Sequence, residues 1–305
     1  MCSSDLAAAA AEARARRLAS WGLPYRWLQA GEVGLAGAQG ATLDTSAARV
    51  NMAGLLRGLR PRLVERGVAI YEGTPALKVT PGGAEVRVTT PAGEVRAGAL
   101  VLATNGYTPG LGFFRGRVLP LHSHVVATAP LDAATWAQIG VEGFADDLDR
   151  IAYGCRTPGD RLIFGGGSNA AYAYRFAGAT VFPAGRAGRG FAAIEDRLRG
   201  YFPGLAGAPI ERRWSGLLGI TLDRVCSIGV SGPRRNVFHA LGYSGHGLAL
   251  GALAGRVIRD LYSDDHGPWQ GLPFYQRRPP WLPPEPLRWA GYQAYTRATG
   301  RSPRR

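Results

Sequence analysis

Val237-Phe-His-Ala-Leu241, Gly242-Tyr-Ser-Gly-His-Gly247 and the run from Leu248 to Tyr262 decide the fold. The first five residues read as a buried strand. The glycines at 242, 245 and 247 permit positive φ and close backbone approach. The last run carries apolar residues at 250, 253, 254, 257, 258 and 261, an amphipathic helical stripe. A helix N-terminus behind a glycine turn presents free N–H groups and partial positive charge, which suits a phosphate or a group that becomes anionic. The same glycines also make an ordinary tight strand-to-helix turn. A G-x-G-x-x-G fingerprint fits badly, because the spacing differs and no second strand with an acidic partner follows.

Working outward, Ala99-Leu-Val-Leu-Ala103 reads as an apolar strand ending in Thr104-Asn105-Gly106. Small polar residues at the carboxyl end of such a strand sit where parallel sheets bind ligands. A third stretch, Arg213-Trp-Ser-Gly-Leu-Leu-Gly-Ile-Thr-Leu-Asp-Arg224, offers a tryptophan and two glycines where a flat ring can lie on the backbone. Before these, residues 7–19 read as a surface helix. Asn51 reads as the N-cap of a helix to about Arg66, closed by Gly67. Val68–Tyr71 reads as a buried strand. Ala76–Thr80, Glu85–Thr89 and Glu94–Ala97, punctuated by Pro-Gly-Gly and Pro-Ala-Gly, read as a β-meander. Val118–Thr128, Arg150–Arg156, Arg161–Gly165, Ile210–Trp214 and Cys226–Val230 read as long antiparallel strands, with one helix at about Gly188–Tyr201. The tail after Pro268 is rich in Pro, Trp and Arg and reads as an extended arm.

Of the 305 residues, 46% are hydrophobic and 19% charged, a globular balance with room for two domains. No apolar run approaches the ~20 residues that cross a bilayer. Cys2, Cys155 and Cys226 form no C-x-x-C pattern, so zinc is not expected, and a reducing cytoplasm is the simplest compartment. His122 and His124 share one strand face, but a metal pair there has no evident third ligand. The net charge of +14 is carried almost wholly by arginine scattered along the chain, Lys78 being the sole lysine. Nucleic-acid binding is not expected from such a spread, which a genome bias towards Arg accounts for equally.

Glu72-Gly-Thr74, Ala103-Thr-Asn-Gly-Tyr107, Trp214 to Arg224 and Gly242 to Gly247, in this order, resemble the D-amino-acid-oxidase-like superfamily of FAD-dependent oxidoreductases. Within it the chain looks most like the gamma-glutamylputrescine oxidase type, over about residues 10–290. The resemblance implies an α/β (α+β) fold: an FAD/NAD(P)-binding-like domain lacking its first βαβ unit, plus an antiparallel-sheet substrate domain. It divides the chain into a partial FAD-binding domain (1–114), a substrate sheet (115–230), a return to the FAD-binding domain (231–267) and an arm (268–305). Members open with a strand and G-x-G-x-x-G for the pyrophosphate. Nothing before Ala30 supplies one, so the expectation is a chain truncated at its N-terminus that binds FAD weakly or not at all.

The resemblance further implies oxidation of an amine, of the gamma-glutamyl amine kind, with hydride transfer to FAD and molecular oxygen as usual acceptor. Glycine, sarcosine or D-amino-acid oxidation, or a fold that keeps no FAD, are the alternatives. Flavin-binding positions are then Ala76 near the adenine, Thr104, Asn105 and Gly106 near the ring, Trp214, Gly216 and Gly219 on the third stretch, and Gly242, Ser244, Gly245, Gly247 and Leu248 at the helix start. His246, Tyr153 and Arg156 are the candidates for catalysis, His246 more as a flavin partner or helix cap than as a base. Leu218 stands where glycine-oxidase-like relatives often carry a carboxylate-binding arginine, which points to an amine without a neighbouring carboxylate.

Overall fold

The computed structural model describes residues 5–147, 150–181, 184–232, 234–265 and 267–299. Cys2 and the arm's last residues, 300–305, lie outside them. The chain opens with α1 (Asp5–Ser20), then an antiparallel pair, β1 (Tyr25–Gln29) and β2 (Gly40–Asp44), joined through the single turn α2 (Ala30–Val33). Helix α3 (Met52–Glu65) starts where Asn51 Oδ1 accepts from Gly54 N–H at 3.0 Å, the cap that its sequence demands. The meander forms as β3 (Lys78–Pro81), β4 (Val86–Thr90) and β5 (Gly93–Ala97). Strand β6 (Leu100–Leu102) runs into a 3₁₀ turn over Asn105–Leu111.

A six-stranded antiparallel sheet follows. It holds β7 (Leu119–Thr128), β8 (Gly143–Ala145), β9 (Ala152–Arg156), β10 (Leu162–Gly166), β11 (Tyr172–Tyr174) and β12 (Ile210–Ile220), with α4 (Ala133–Ile139) and α5 (Ala184–Tyr201) between strands. Strand β7 is its axis. β12 pairs along one whole edge, while β10 and β11 share the other. Alternation sorts the faces. Val126, Ala152, Leu162 and Phe164 point to a core with Ile194 and Leu198 of α5. Ser123, Val125, Tyr153 and Gly165 point the other way.

The second sheet holds β13 (Ser227–Ser231), β14 (Val237–Leu241) and β6, with β14 antiparallel to β13 and parallel to β6. Helix α6 (Gly247–Tyr262) buries Ala254, Val257 and Leu261 on Ile228, Phe238 and Ala240, as the stripe requires. The meander packs on this sheet through Val79 and Val86 against Leu102 and Val237. The chain ends in α7 (Leu287–Thr299).

Four expectations need correction. Val68–Tyr71 is not a strand: it is irregular, with Tyr71 75% exposed. An apolar segment becomes a strand only where a neighbour takes up its N–H and C=O groups, and no described strand lies beside it. Ser227–Ser231 joins β14, not the substrate sheet. Val33, Leu35, Ala38 and Ala41, expected among the residues of the other unit, pack into the core of the antiparallel sheet. The arm is extended only to about Pro286. Beyond it Tyr292 and Thr296 dock α7 on the sheet, through Tyr292 Oη to Tyr172 O and Asn169 Nδ2 to Thr296 O.

His239 is buried in β14 against Phe114. Ser227 Oγ–H donates to Arg277 O, so His239 Nε2–H donates to Ser227 Oγ at 3.0 Å, and Nδ1 is left a buried acceptor without a hydrogen-bond partner among the described residues. Burial therefore pushes this imidazole down from 6.5 to about 4. Between those values the unfolded chain binds a proton that the folded chain refuses, so stability falls as pH drops from 6.5 to 4 and falls no further below. The full effect is about 3 kcal/mol. Denaturant midpoints at pH 7, 5.5 and 4 are expected to fall more steeply for the native chain than for His239→Gln, which cannot titrate. Equal slopes would show that His239 does not carry the acid sensitivity.

Candidate functional site

Three turns meet where β6, β12 and β14 end. Asn105 adopts φ 41°, a conformation that asparagine tolerates better than most residues. Its Oδ1 accepts from Gly242 N–H at 3.0 Å. A Cβ on Gly219 would stand 2.3 Å from that same oxygen, and one on Gly106 3.0 Å from Leu218 O. Gly242, at φ +75°, would meet Thr221 Cγ2 at 2.5 Å. Ser244 N–H donates to Gly219 O at 3.0 Å, and Thr221 N–H donates to Ser244 Oγ at 3.3 Å. Thus Asn105, Gly106, Gly219, Gly242 and Ser244 form one packed knot. Thr221 belongs to it too, and the strand-ending position after Ile220 was the signal for it.

Above the knot the surface is open. Gly245 has φ +98°, and nothing lies within 4 Å of where its Cβ would be. Gly247 and Leu248 begin α6, whose first N–H groups have no upstream carbonyl inside the helix. Leu248 is 55% exposed. His246 is exposed at the N-cap position, but its side chain makes no capping bond, which corrects the expectation that it caps the helix. Thr104 lies at the edge, its Oγ1 2.9 Å from Thr108 Oγ1. Ala76 stands apart, exposed in the loop before β3.

From Gly219, β12 leads back to Leu218, Gly216 and Trp214, opposite Leu121, Ser123 and Val125 of β7. These lie on the sheet face turned away from α5. Trp214 is 41% exposed there, and space is open over Gly216. Tyr153 shares the face, its ring laid over Gly165. Burial pushes the Tyr153 phenol up, against the Ser123 hydroxyl, which lowers it. Tyr172, opposite Ser123 on β11, is pushed up by burial and by the neighbouring Tyr153 and Asp146. Sequence reading missed Ser123 and Tyr172. The alternation along Leu119–Thr128 marks Ser123, but Tyr172 lies in a run too short to read.

Arg156 and Arg213 are on the wrong face. Arg156 pairs with Asp160 at 2.6 Å and Glu142 at 3.3 Å and lies over the Trp136 ring, inside the α4 side of the sheet. It is a structural residue, not a catalytic one. Arg213 pairs with Glu195 of α5 at 2.7 Å. The two histidines on this face also diverge: His122 Nε2 bonds Ala179 O, and His124 Nδ1 bonds Ser215 Oγ.

Residues 1–261 match the family model described as DAO, FAD dependent oxidoreductase. The chain belongs to this family. It is 27% identical over 234 residues to a probable oxidoreductase OrdL of Haemophilus influenzae, covering 74% of this chain and 50% of that protein. It is 27% identical over 233 residues to gamma-glutamylputrescine oxidoreductase of Escherichia coli, covering 74% and 50%. The chain thus spans about half the length of the curated relatives it matches. Its fold is that of glycine oxidase from Geobacillus kaustophilus, with a TM-score of 0.74 at 22% identity over 91% of this chain and 73% of that one. L-proline dehydrogenase from P. horikoshii gives 0.68 at 18%, over 87% and 71%. No helix among the described residues is long and apolar enough to cross a membrane.

The knot makes a stability prediction. Gly219→Ala is expected to cost about 1–3 kcal/mol, because its methyl group displaces Asn105 Oδ1 and strands the buried Gly242 N–H. Chemical denaturation measures this. Gly216→Ala, with open space above it, is the matched control and is expected to change stability far less.

Proposed function

We propose that this chain supplies the flavin-edge turn and the substrate sheet of an FAD-dependent enzyme that oxidises an amine or amino acid. The observation that carries the reading is the open, positive-φ Gly245 and the α6 N-terminus held over the Asn105–Gly219–Gly242 knot, beside the bare face of Trp214, Gly216 and Tyr153. These residues fit a flavin: the turn leaves room where any side chain would intrude, and the helix start presents N–H donors. A bound flavin supplies the acceptor for a hydride from the carbon that carries the amine, and molecular oxygen is the acceptor proposed to follow. The N–H groups of the first turn of α6 would offset negative charge on a flavin held there. Gly106 and Gly219 let the turns close into the knot beneath that opening. Tyr153, its phenol held protonated by burial, would offer a hydrogen bond to substrate, and Tyr172, whose O–H donates to Ile151 O, would help exclude water. In this reading β6, β14, α6 and the meander are the cofactor unit, with Ala76 towards the adenine, and β7–β12 the substrate unit.

The face offers neither Arg156 nor Arg213 as a carboxylate clamp, which favours an amine of the gamma-glutamyl amine kind. One observation favours an amino acid instead. Arg150 stacks on Tyr295 at 5.0 Å, its Nε bonds Asn169, and its Nη2 is buried without a hydrogen-bond partner among the described residues. Its charge bears on Tyr172. A buried guanidinium N–H without a partner costs free energy that a carboxylate recovers. The likeness of fold to glycine oxidase agrees with this second reading.

Anaerobic mixing of the FAD-loaded protein with gamma-glutamyl amines, polyamines, glycine, sarcosine and D-amino acids tests both. Loss of the oxidised-flavin band with any of them supports the proposal, and the substrate that does so chooses between the readings. Arg150→Gln is expected to weaken amino-acid reduction at least tenfold and leave simple amines unaffected. No bleaching by any of the panel, in a protein that holds FAD, would overturn the amine-oxidising assignment. Gly245→Leu is expected to abolish FAD retention or slow reduction sharply. Full flavin content and rate in this variant would reduce the turn to a structural role.

A further inference from the structure

A cavity of about 690 Å³ lies away from the knot, between β11, α5 and α7. It is lined by Tyr174, Arg175, Phe176, Arg189, Trp289 and Gln293, among others. Phe176 and Trp289 pack edge to face, ring centroids 6.4 Å apart, yet remain 55% and 39% exposed. Two aromatic rings left half uncovered inside a concavity form the apolar wall of a ligand site rather than of a finished core. Cations line the same space. Arg189 makes no hydrogen bond or ion pair among the described residues, and Arg175 lines the cavity beside the end of β11. The nearest carboxylate is already committed: Glu285 accepts from Tyr174 Oη–H and from Trp289 N–H. That commitment also braces the start of α7, so the wall carrying Trp289 is held in place.

We propose that this cavity binds a flat aromatic acid, its ring against Phe176 and Trp289 and its carboxylate on Arg189 and Arg175. Charge complementarity selects the acid, because the Arg189 guanidinium faces an opening whose described lining residues include no carboxylate, with Arg175 beside it. The exposed aromatic area selects the flat body, because a small inorganic anion would leave both rings in water. The seat spans elements more than a hundred residues apart in sequence, β11 and α7, so an occupant pins the tail helix to the sheet and stabilises the fold. It is a different surface from the Gly245 opening and does not depend on the flavin reading.

The probe is 2-naphthoate, with its neutral analogue 2-naphthalenemethanol and inorganic phosphate as comparisons, on the 305-residue chain without added FAD. Thermal unfolding and tryptophan fluorescence are the readouts. The expected result is a saturable rise in Tm with naphthoate, and at least tenfold weaker binding of the neutral analogue and of phosphate. Arg189→Ala, an exposed change that spares the fold, is expected to weaken naphthoate about tenfold, and Trp289→Phe to remove most of the fluorescence response. Equal affinity for naphthoate and its neutral analogue, unchanged binding in Arg189→Ala, equal binding of phosphate, or no saturable binding at all would each overturn the proposal.

Discussion

The hydrogen bond from Gly242 N–H to Asn105 Oδ1 joins the two parallel strands β6 and β14 just beyond the point where their ladder stops. Strand pairing ends at His239–Leu102. Past it the backbones diverge, one into a 3₁₀ turn and the other into α6, and each would leave polar groups buried. The asparagine amide spans that gap. It can do so only because Asn105 sits at positive φ and because Gly219 leaves no Cβ in its path. Aspartate would match the acceptor but add a charge against backbone carbonyls, and alanine would strand Gly242 N–H. The direction in which α6 leaves the sheet, and so the opening at Gly245, follows from this one side chain.

The antiparallel sheet solves a different problem, which is to carry many arginines without filling the face that bears Trp214 and Tyr153. Ion pairing is gathered behind the sheet, where Arg156, Asp160 and Glu142 meet, and where Arg213 meets Glu195. Exposed pairs of this kind contribute little to stability. Their consequence is placement, since an arginine held by two carboxylates does not reach through a sheet. The opposite face keeps hydroxyls and rings, Ser123, Tyr153, Tyr172 and Trp214, whose charge does not change near neutral pH. A neutral, partly dry surface is where the positive end of α6 acts with the least screening.

What was legible in the sequence follows from range. The α6 stripe at 250–261, the Asn51 cap and the meander turns depend on neighbours a few residues away, and all three formed as read. The length of β12 was not legible. Gly216 and Gly219 interrupt its pattern, and the strand persists to Ile220 because β7 supplies a partner for its full length. Val68–Tyr71 failed for the converse reason, a good strand pattern with no described partner. At the site, the convergence of 104–106, 214–219 and 242–247 was readable from motif order, whereas facing was not. Tyr153 and Arg156 differ by an odd number of residues, so a strand must send them to opposite faces. That parity was available in the sequence, but which face served the site depended on the Gly219–Ser244 contact, a tertiary fact.

The tail, which composition marks only as Pro-rich, decides how the two sheets are held together. It first runs beside β13, where Ile228 N–H donates to Phe274 O and Gln276 N–H to Ile228 O. Arg277 then reaches back to Asp223 and Val225 O. Next it passes the turn before β7, where Leu282 N–H donates to Gly116 O at 2.6 Å and Arg117 donates to Pro279 O. It ends on β11, with Glu285 under Tyr174 and Tyr292 against Tyr172. Proline suits such a path: a strap that crosses strands at an angle has few ladder partners for N–H groups, and residues without one leave nothing unsatisfied. The strap touches the three-stranded sheet at the strand next to β14 and the six-stranded sheet at the strand next to β7. The knot of Asn105, Gly219 and Gly242 lies on the direct line of contact between those same two sheets. The geometry of the opening is therefore fixed twice, by the knot at its base and by the strap around its outside. Loosening the strap at Glu285 would free its end on β11 and shift more of the restraint on the angle between α6 and the Trp214 face to the knot's hydrogen bonds.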